Sequence, residues 1–384
     1  LAHTDADEVS AQHWRWQAGD AAFAIGDLRR ATALLGAATA PFGARVPSGG
    51  VRRLWFLLRQ GVERLWHRRR EAVPALPDTR REALALASLA AGRYSNVCIY
   101  RSDGVGMLAS SLAAANLAER AGESHVDALA ALGFALGIVG LHDAARRSFA
   151  RARVAKSAYD ATSDRHASRW RGRGALTVLE GTYRLGRDEV DDARRIIATG
   201  LDEARARGDL LDAAFCEYLL ATVDHFRGRL GLARTRLRHA LERLGDDLLG
   251  QRVPFVVTEA QLLCLLGEAD TAHLRLLTLA PDAARGDRLV ESMTLATRAL
   301  VSHRRGDGEG ALDTADKAWS LAPNPRTVPA TGHVLYESLA DVFSAAWALR
   351  RDAATAARLG RLARATNAWA AAFPIARPFA INVD

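Results

Sequence analysis

What the sequence has little of narrows the reading first. Three cysteines occur in 384 residues, Cys98, Cys216 and Cys264. They lie far apart with no Cys-x-x-Cys and no paired Cys/His spacing, so neither a disulfide scaffold nor a zinc finger is expected and a reducing compartment fits. Lysine is nearly missing: of 52 basic residues all but Lys156 and Lys317 are arginine. Beside abundant Ala, Leu and Gly, that bias reads as base composition of the coding sequence, and the formal charge of +8 does not by itself argue for a polyanion partner. No uninterrupted apolar run approaches the roughly 18 residues of a membrane span, and the N-terminus lacks the basic, apolar and small-residue order of a signal peptide. A soluble, cytoplasmic protein is expected. The chain starts at Leu1 and stops at Ala380-Ile-Asn-Val-Asp384, which reads as a fragment of a longer polypeptide.

Also scarce is β-branched alternation. In its place Ala, Leu, Arg and Glu fill long stretches with apolar residues three and four apart, so the chain is expected to be all-α. A repeat runs through it, in which a Gly at a short turn is followed five positions later by Ala. The instances are Gly26/Ala31, Gly140/Ala145, Gly228/Ala233, Gly267/Ala272 and Gly306/Ala311. A weaker one has Gly186 with Ala193, and a further turn without Gly falls at Arg350-Arg351-Asp352. From Gly140 the intervals are 46, 42, 39 and 39 residues, longer than the tetratricopeptide (TPR) period of about 34. Gly supplies the left-handed conformation that ends one helix, and Ala lets the next cross closely. One hairpin cannot bury its own apolar face, so neighbours must stack into a TPR-like alpha-solenoid of antiparallel hairpins.

The expected division is a first hairpin at 1–40, a linker and basic amphipathic helix at 41–82, a repeat array at 83–373, and a truncated or irregular tail at 374–384. The linker carries Pro41, Gly43, Pro47, Ser48, Gly49 and Gly50, and the first hairpin includes His13-Trp14-Arg15-Trp16.

Two stretches, Ser111-Leu-Ala-Ala-Ala-Asn-Leu-Ala-Glu-Arg-Ala-Gly122 and Gly137-Ile-Val-Gly-Leu-His-Asp-Ala-Ala-Arg-Arg-Ser-Phe-Ala150, carry a resemblance. They look like the TPR-like C-terminal region of bacterial signalling proteins in which an AAA/STAND ATPase module, often with an adenylate/guanylate cyclase or kinase, precedes the repeats. The Arg-rich helix at 51–71 and Phe373-Pro-Ile-Ala-Arg-Pro378 are similar to that region too, and LuxR-type regulators carry related arrays. The chain departs from the pattern after Ala380. The resemblance implies a non-catalytic protein-interaction and regulatory module controlling an attached ATPase or cyclase, with no cofactor. Its partners would be a protein, a peptide or neighbouring domains, with no specific nucleic acid.

Candidate chemistry is sparse. Gly104-Val-Gly106-Met-Leu-Ala109, after Val97-Cys-Ile-Tyr100 and before Glu123, matches a Rossmann fingerprint with Ala in the third position, and it is the alternative enzymatic reading. Helical periodicity through Leu84, Ala87, Ala91 and Tyr94 favours instead a helix start capped by Ser102 or Asp103. There is no Walker-A loop and no His-Glu-x-x-His. The eleven histidines are scattered, and His142-Asp143 and Asp224-His225 are neighbours that diverge on a helix. No metal site is expected, these pairs reading as solvated or capping residues. No Ser sits in a Gly-x-Ser-x-Gly elbow, and Asp188, Glu189, Asp191 and Asp192 read as a helix start.

The basic segment carries the most information. Residues 45–81 hold ten Arg against three acids, a balance of +7 that leaves the rest nearly neutral. Within it Val51, Leu54, Trp55, Leu58, Val62, Leu65 and Trp66 share an arc of about 120°, and Arg52, Arg53, Arg59 and Arg64 fall outside it. The expectation is that the apolar stripe packs on the solenoid with the Arg face solvated or paired to an acidic neighbour, and these arginines, with Arg68, Arg69 and Arg70, are the candidate acidic-partner or docking surface. A membrane-surface or polyanion-binding helix and docking onto an upstream ATPase or cyclase module are the alternatives. Trp170, Tyr183, Tyr218, Phe226, Trp319, Tyr336, Phe343, Trp347 and Trp369 are expected in the hairpin core.

Overall fold

A computed structural model describes residues 2–67, 76–101, 103–122, 126–161, 175–244, 249–280 and 287–380. All regular structure among them is helical, and the chain divides into two compact units, Leu1–Glu180 and Gly181–Asp384.

The first unit contains α1 (Ala2–Ala24), α2 (Leu28–Thr39), α3 (Gly50–His67), α4 (Asp78–Tyr100), α5 (Gly104–Arg120), α6 (Val126–Ile138) and α7 (His142–Ala161). Hairpins α1/α2, α4/α5 and α6/α7 stack in chain order, and α3 lies on α5. Small side chains line the α4/α5 crossing: Ser88 donates to the Ala114 carbonyl at 2.8 Å, and the Ser95 and Ser111 hydroxyls meet at 2.7 Å. After α8 (Ala175–Gly186), the second unit contains α9 (Val190–Arg207), α10 (Leu210–Phe226), α11 (Leu230–Arg243), α12 (Leu249–Leu265), α13 (Ala269–Leu277), α14 (Arg288–Arg304), α15 (Gly308–Leu321), α16 (His333–Arg350) and α17 (Ala353–Ala372). Short 3-10 turns at Ala330–Gly332 and Pro374–Phe379 precede α16 and follow α17.

The turns show how local chemistry sets these hairpins. Gly26, Gly140, Gly228, Gly267 and Gly306 all have φ between +71° and +92°. At each, the Gly N–H and the N–H after it bond back into the preceding helix as a Schellman pair, for example Gly228 to His225 and Arg229 to Asp224, both at 2.8 Å. Ala31, Ala145, Ala233, Ala272 and Ala311 are fully buried where the helices cross. In the weaker instance the left-handed residue is Asp188, at φ +66°, five positions before the buried Ala193. Gly186 ends α8 where an added Cβ would lie 2.8 Å from Phe373. The turn at Arg351 is left-handed as well, at φ +47°. Following helices start on Asp caps: Asp27, Asp103, Asp209 and Asp307 accept the third backbone N–H at 2.9 to 3.1 Å.

Buried carboxylates tie the hairpins of the second unit. Glu217 on α10 takes Arg205 of α9 at 2.6 Å and Arg236 of α11 at 3.1 Å, while Asp224 takes Arg236 at 2.8 Å and Arg229 at 2.6 Å. Glu259 on α12 takes Arg275 of α13 at 2.5 Å.

Removing one member of such a pair strands the other. Glu217→Ala should lower the unfolding free energy by about 3 kcal/mol in urea titration, whereas a change under about 0.5 kcal/mol would make the network decorative. Asp287, the buried cap of α14, supplies a pH dependence. Burial pushes its carboxyl up to about 7 despite the Val290 N–H it accepts at 3.0 Å. The folded chain therefore holds this proton while the unfolded chain has released it, so the contribution to stability falls as pH rises from about 4 through 7. Asp287→Asn keeps a capping oxygen, and should flatten that slope and gain stability above pH 7. Parallel pH profiles for the two proteins would refute the assignment.

Candidate functional site

The Gly104–Ala109 candidate is a helix–turn–helix junction. Tyr100 ends α4, Gly104 starts α5, and among the described residues there is no strand. Asp103 accepts the Gly106 N–H at 2.9 Å, placing a carboxylate where a phosphate would sit, and binds Arg53 through both oxygens. A Cβ on Gly106 would lie 2.5 Å from Asp103 Oδ2 and 2.9 Å from Cys98 Sγ, so the glycine serves the cap and the packing. Ser102 lies outside the described residues. Burial pushes the thiols of Cys98 and Cys216 up to about 12 and that of Cys264 up to about 11, which removes them as nucleophiles.

Helix α3 faces the opposite way from the expectation. Among its described side chains the buried ones are Phe56, Gln60 and Arg64. The apolar stripe Val51, Leu54, Trp55, Leu58, Val62, Leu65 and Trp66 points to solvent, each residue 54 to 85% exposed. The reason lies on α5, which offers α3 three polar partners in the same order along both helices. Asp103 meets Arg53 at 2.9 Å, Asn116 donates to the Gln60 carbonyl and side chain at 2.9 and 3.0 Å, and Glu119 meets Arg64 at 2.5 Å. Arg59, exposed, donates to the Gly43 carbonyl with its guanidinium 5.3 Å from the Phe56 ring centre. Arg52 is exposed at the margin of the stripe, and the placement of Arg68, Arg69 and Arg70 lies outside the described residues. Thus Arg53 and Arg64 are engaged within the fold, and the outward face of α3 is apolar with Arg52 and Arg59 along one edge.

The second unit holds a cleft of about 290 Å³ whose wall includes Gln261 on α12, Leu300 on α14, Tyr336, Glu337 and Asp341 on α16, and Phe379 after α17. Asp341 is held by Arg304 at 2.6 Å. Glu337 is held by His225 Nε2 at 2.9 Å and by the Gln261 amide at 2.7 Å. The His225 ring lies 4.3 Å from that of His333, whose pKa burial and the neighbouring His225 lower well below the usual value, keeping it neutral. Asp224 and His225, expected as solvated or capping residues, are both buried because α10 packs between α9 and α11 and meets the turn before α16. Sequence reading missed this group, since its members come together only on folding. Of the aromatic residues, Tyr183, Tyr218, Tyr336, Phe343 and Trp369 are buried, Phe226 and Trp319 are half-buried, and Trp347 is partly exposed. Trp170 lies outside the described residues.

No family profile and no curated protein sequence matches the chain. Solved structures do. The crystal structure of a Rap protein complexed with competence and sporulation factor aligns over 97% of this chain and 100% of that one, at 14% identity and a TM-score of 0.59. The fold is an all-α, TPR-like solenoid. A second match, the TPR domain of P58(IPK), is 12% identical over 93% of this chain and 98% of that one, with a TM-score of 0.21. No described helix is long and apolar enough to cross a membrane.

The orientation of α3 can be checked by neighbouring substitutions. Trp55→Ser should change stability by less than about 0.5 kcal/mol, while Phe56→Ala should cost about 3 kcal/mol in urea titration. The reverse order would place the apolar stripe inside.

Proposed function

We propose that the chain is a non-catalytic protein-interaction module that takes its partner on the outward face of α3. The observation that carries this reading is the exposure of seven large apolar side chains on one helix whose opposite face is already pinned to α5 by polar pairs. The proposed occupant is an amphipathic helix of a protein partner, laying its apolar face along Trp55, Leu58 and Val62. Charge complementarity selects acidic edges on that helix, because Arg52 and Arg59 line this face and the segment 45–81 carries +7. The TPR-like fold supports a binding role, and the solved Rap structure was obtained with a bound factor. Following the resemblance in the repeat sequence, we assign the partner helix to an ATPase or nucleotide-cyclase module of a bacterial signalling polypeptide, whose activity the docked array would bias.

The test is a photo-crosslinking amino acid at position 55 or 58 in the cells that produce the protein, with the adduct mapped by mass spectrometry. The expected adduct is an amphipathic helix with acidic edges, reduced at least tenfold by Arg52→Glu with Arg59→Glu. Lipid adducts, self-adducts, or yields no higher than at the exposed Leu274 would overturn the reading.

A further inference from the structure

We propose that His225, His333 and Glu337 form a binding site for one divalent transition-metal ion, with zinc as its occupant. The three side chains each offer one ligand atom, and these atoms lie within 4.8 Å of one another. They come from two places in the second unit. His225 sits on the last turn of α10, while His333 and Glu337 are four residues apart on α16 and so share a face. His225 and Glu337 meet at 2.9 Å through a hydrogen bond, so the entering ion takes the place of the shared imidazole proton, which is released to solvent. Ligand atoms about 2.0 to 2.2 Å from a tetrahedral zinc lie about 3.4 Å apart, so no pair has to close by more than about 1.4 Å, within reach of χ rotations.

A second observation points to a ligand independently. His333 is wholly buried, and its Nε2 has no hydrogen-bond partner. Its Nδ1 faces the Ala330 carbonyl at 3.2 Å, which fixes the proton on Nδ1 and leaves a bare lone pair on Nε2 in the interior. A backbone carbonyl behind one imidazole nitrogen is the arrangement that orients histidine for a metal. Leaving the other nitrogen unsatisfied has a cost that a metal would remove. Gln261 supplies the outer support by holding the second Glu337 oxygen at 2.7 Å.

The ligand set selects the ion. Two imidazoles and one carboxylate disfavour calcium and magnesium, which take oxygen, and suit zinc. Asp341, one turn beyond Glu337 on α16, is engaged by Arg304, so the carboxylate nearest along the helix is not drawn in. Because Glu337 and Gln261 also line the 290 Å³ cleft, a fourth position is open to water or a ligand from that side. The site rests on the second unit alone and is independent of the role given to α3.

The intact chain, stripped with a chelator and dialysed against micromolar zinc or cobalt, should retain one ion per molecule. The cobalt form should show the intense visible bands of four-coordinate nitrogen and oxygen ligation without thiolate charge transfer. Glu337→Gln, which is isosteric, and His333→Ala should each abolish the bands, and Gln261→Ala should weaken affinity 10- to 100-fold. The exposed His239→Ala should leave them intact. Because the wild-type spectrum needs no variant to fold, the proposal stays testable even if His333→Ala unfolds. Substoichiometric retention by wild type, thiolate bands, or bands that survive Glu337→Gln would each overturn it.

Discussion

The polar seam between α3 and α5 fixes which side of α3 the rest of the protein sees. Arg53, Gln60 and Arg64 each find a partner in Asp103, Asn116 and Glu119, and each partner sits on a helix already committed to the α4/α5 hairpin. Turning α3 over would bury the tryptophans but would leave Asn116 and Glu119 against apolar side chains, at about 1 to 3 kcal/mol each. Phe56 of α3 joins the core cluster that includes Ala109, Ala113 and Ala114 of α5, while the seven-residue stripe stays outside it. The larger gain, roughly 1.5 to 3 kcal/mol for each large side chain fully covered, stays unrealised within this unit and is available to association.

The same account changes the meaning of the arginine excess. Arg236 reaches two buried carboxylates at once, Nε to Asp224 and Nη1 to Glu217, and Arg358 grips Asp316 through Nε and Nη2. A lysine offers a single point of charge and cannot bridge in this way. Whatever the origin of the bias, the planar fork is what lets a hairpin bury Glu217 and Asp224 side by side. What remains for an acidic partner is the margin of α3, where Arg52 and Arg59 are exposed.

How much of this was legible in the sequence follows from the range of each interaction. The hairpins could be read because a left-handed glycine and an alanine five residues later are local requirements, and Asp188 shows the same rule with a different residue at the turn. The facing of α3 could not. Periodicity measures how wide an apolar stripe is and is silent on whether that stripe points in, since the deciding groups lie about fifty residues away on α5. Asp224 and His225 diverge on their helix as adjacent residues must, but neither is solvated or a cap: Asp224 turns toward α11 and His225 toward α16, each into the interior.

That divergence makes α10 a link between two polar layers of the second unit. One side carries Glu217 and Asp224 into the arginines of α9 and α11, and the other carries His225 to Glu337 at the edge of the cleft. Glu337 is shared between His225 and Gln261, so a cationic group entering the cleft competes for a carboxylate that is already occupied. Drawing Glu337 outward would strand the His225 Nε2 in the interior, at about 1 to 3 kcal/mol, unless α10 moved with it. The cleft and the hairpin network are thereby coupled through one side chain, and the wall formed by α16 is stiff for a polar reason in addition to its packing.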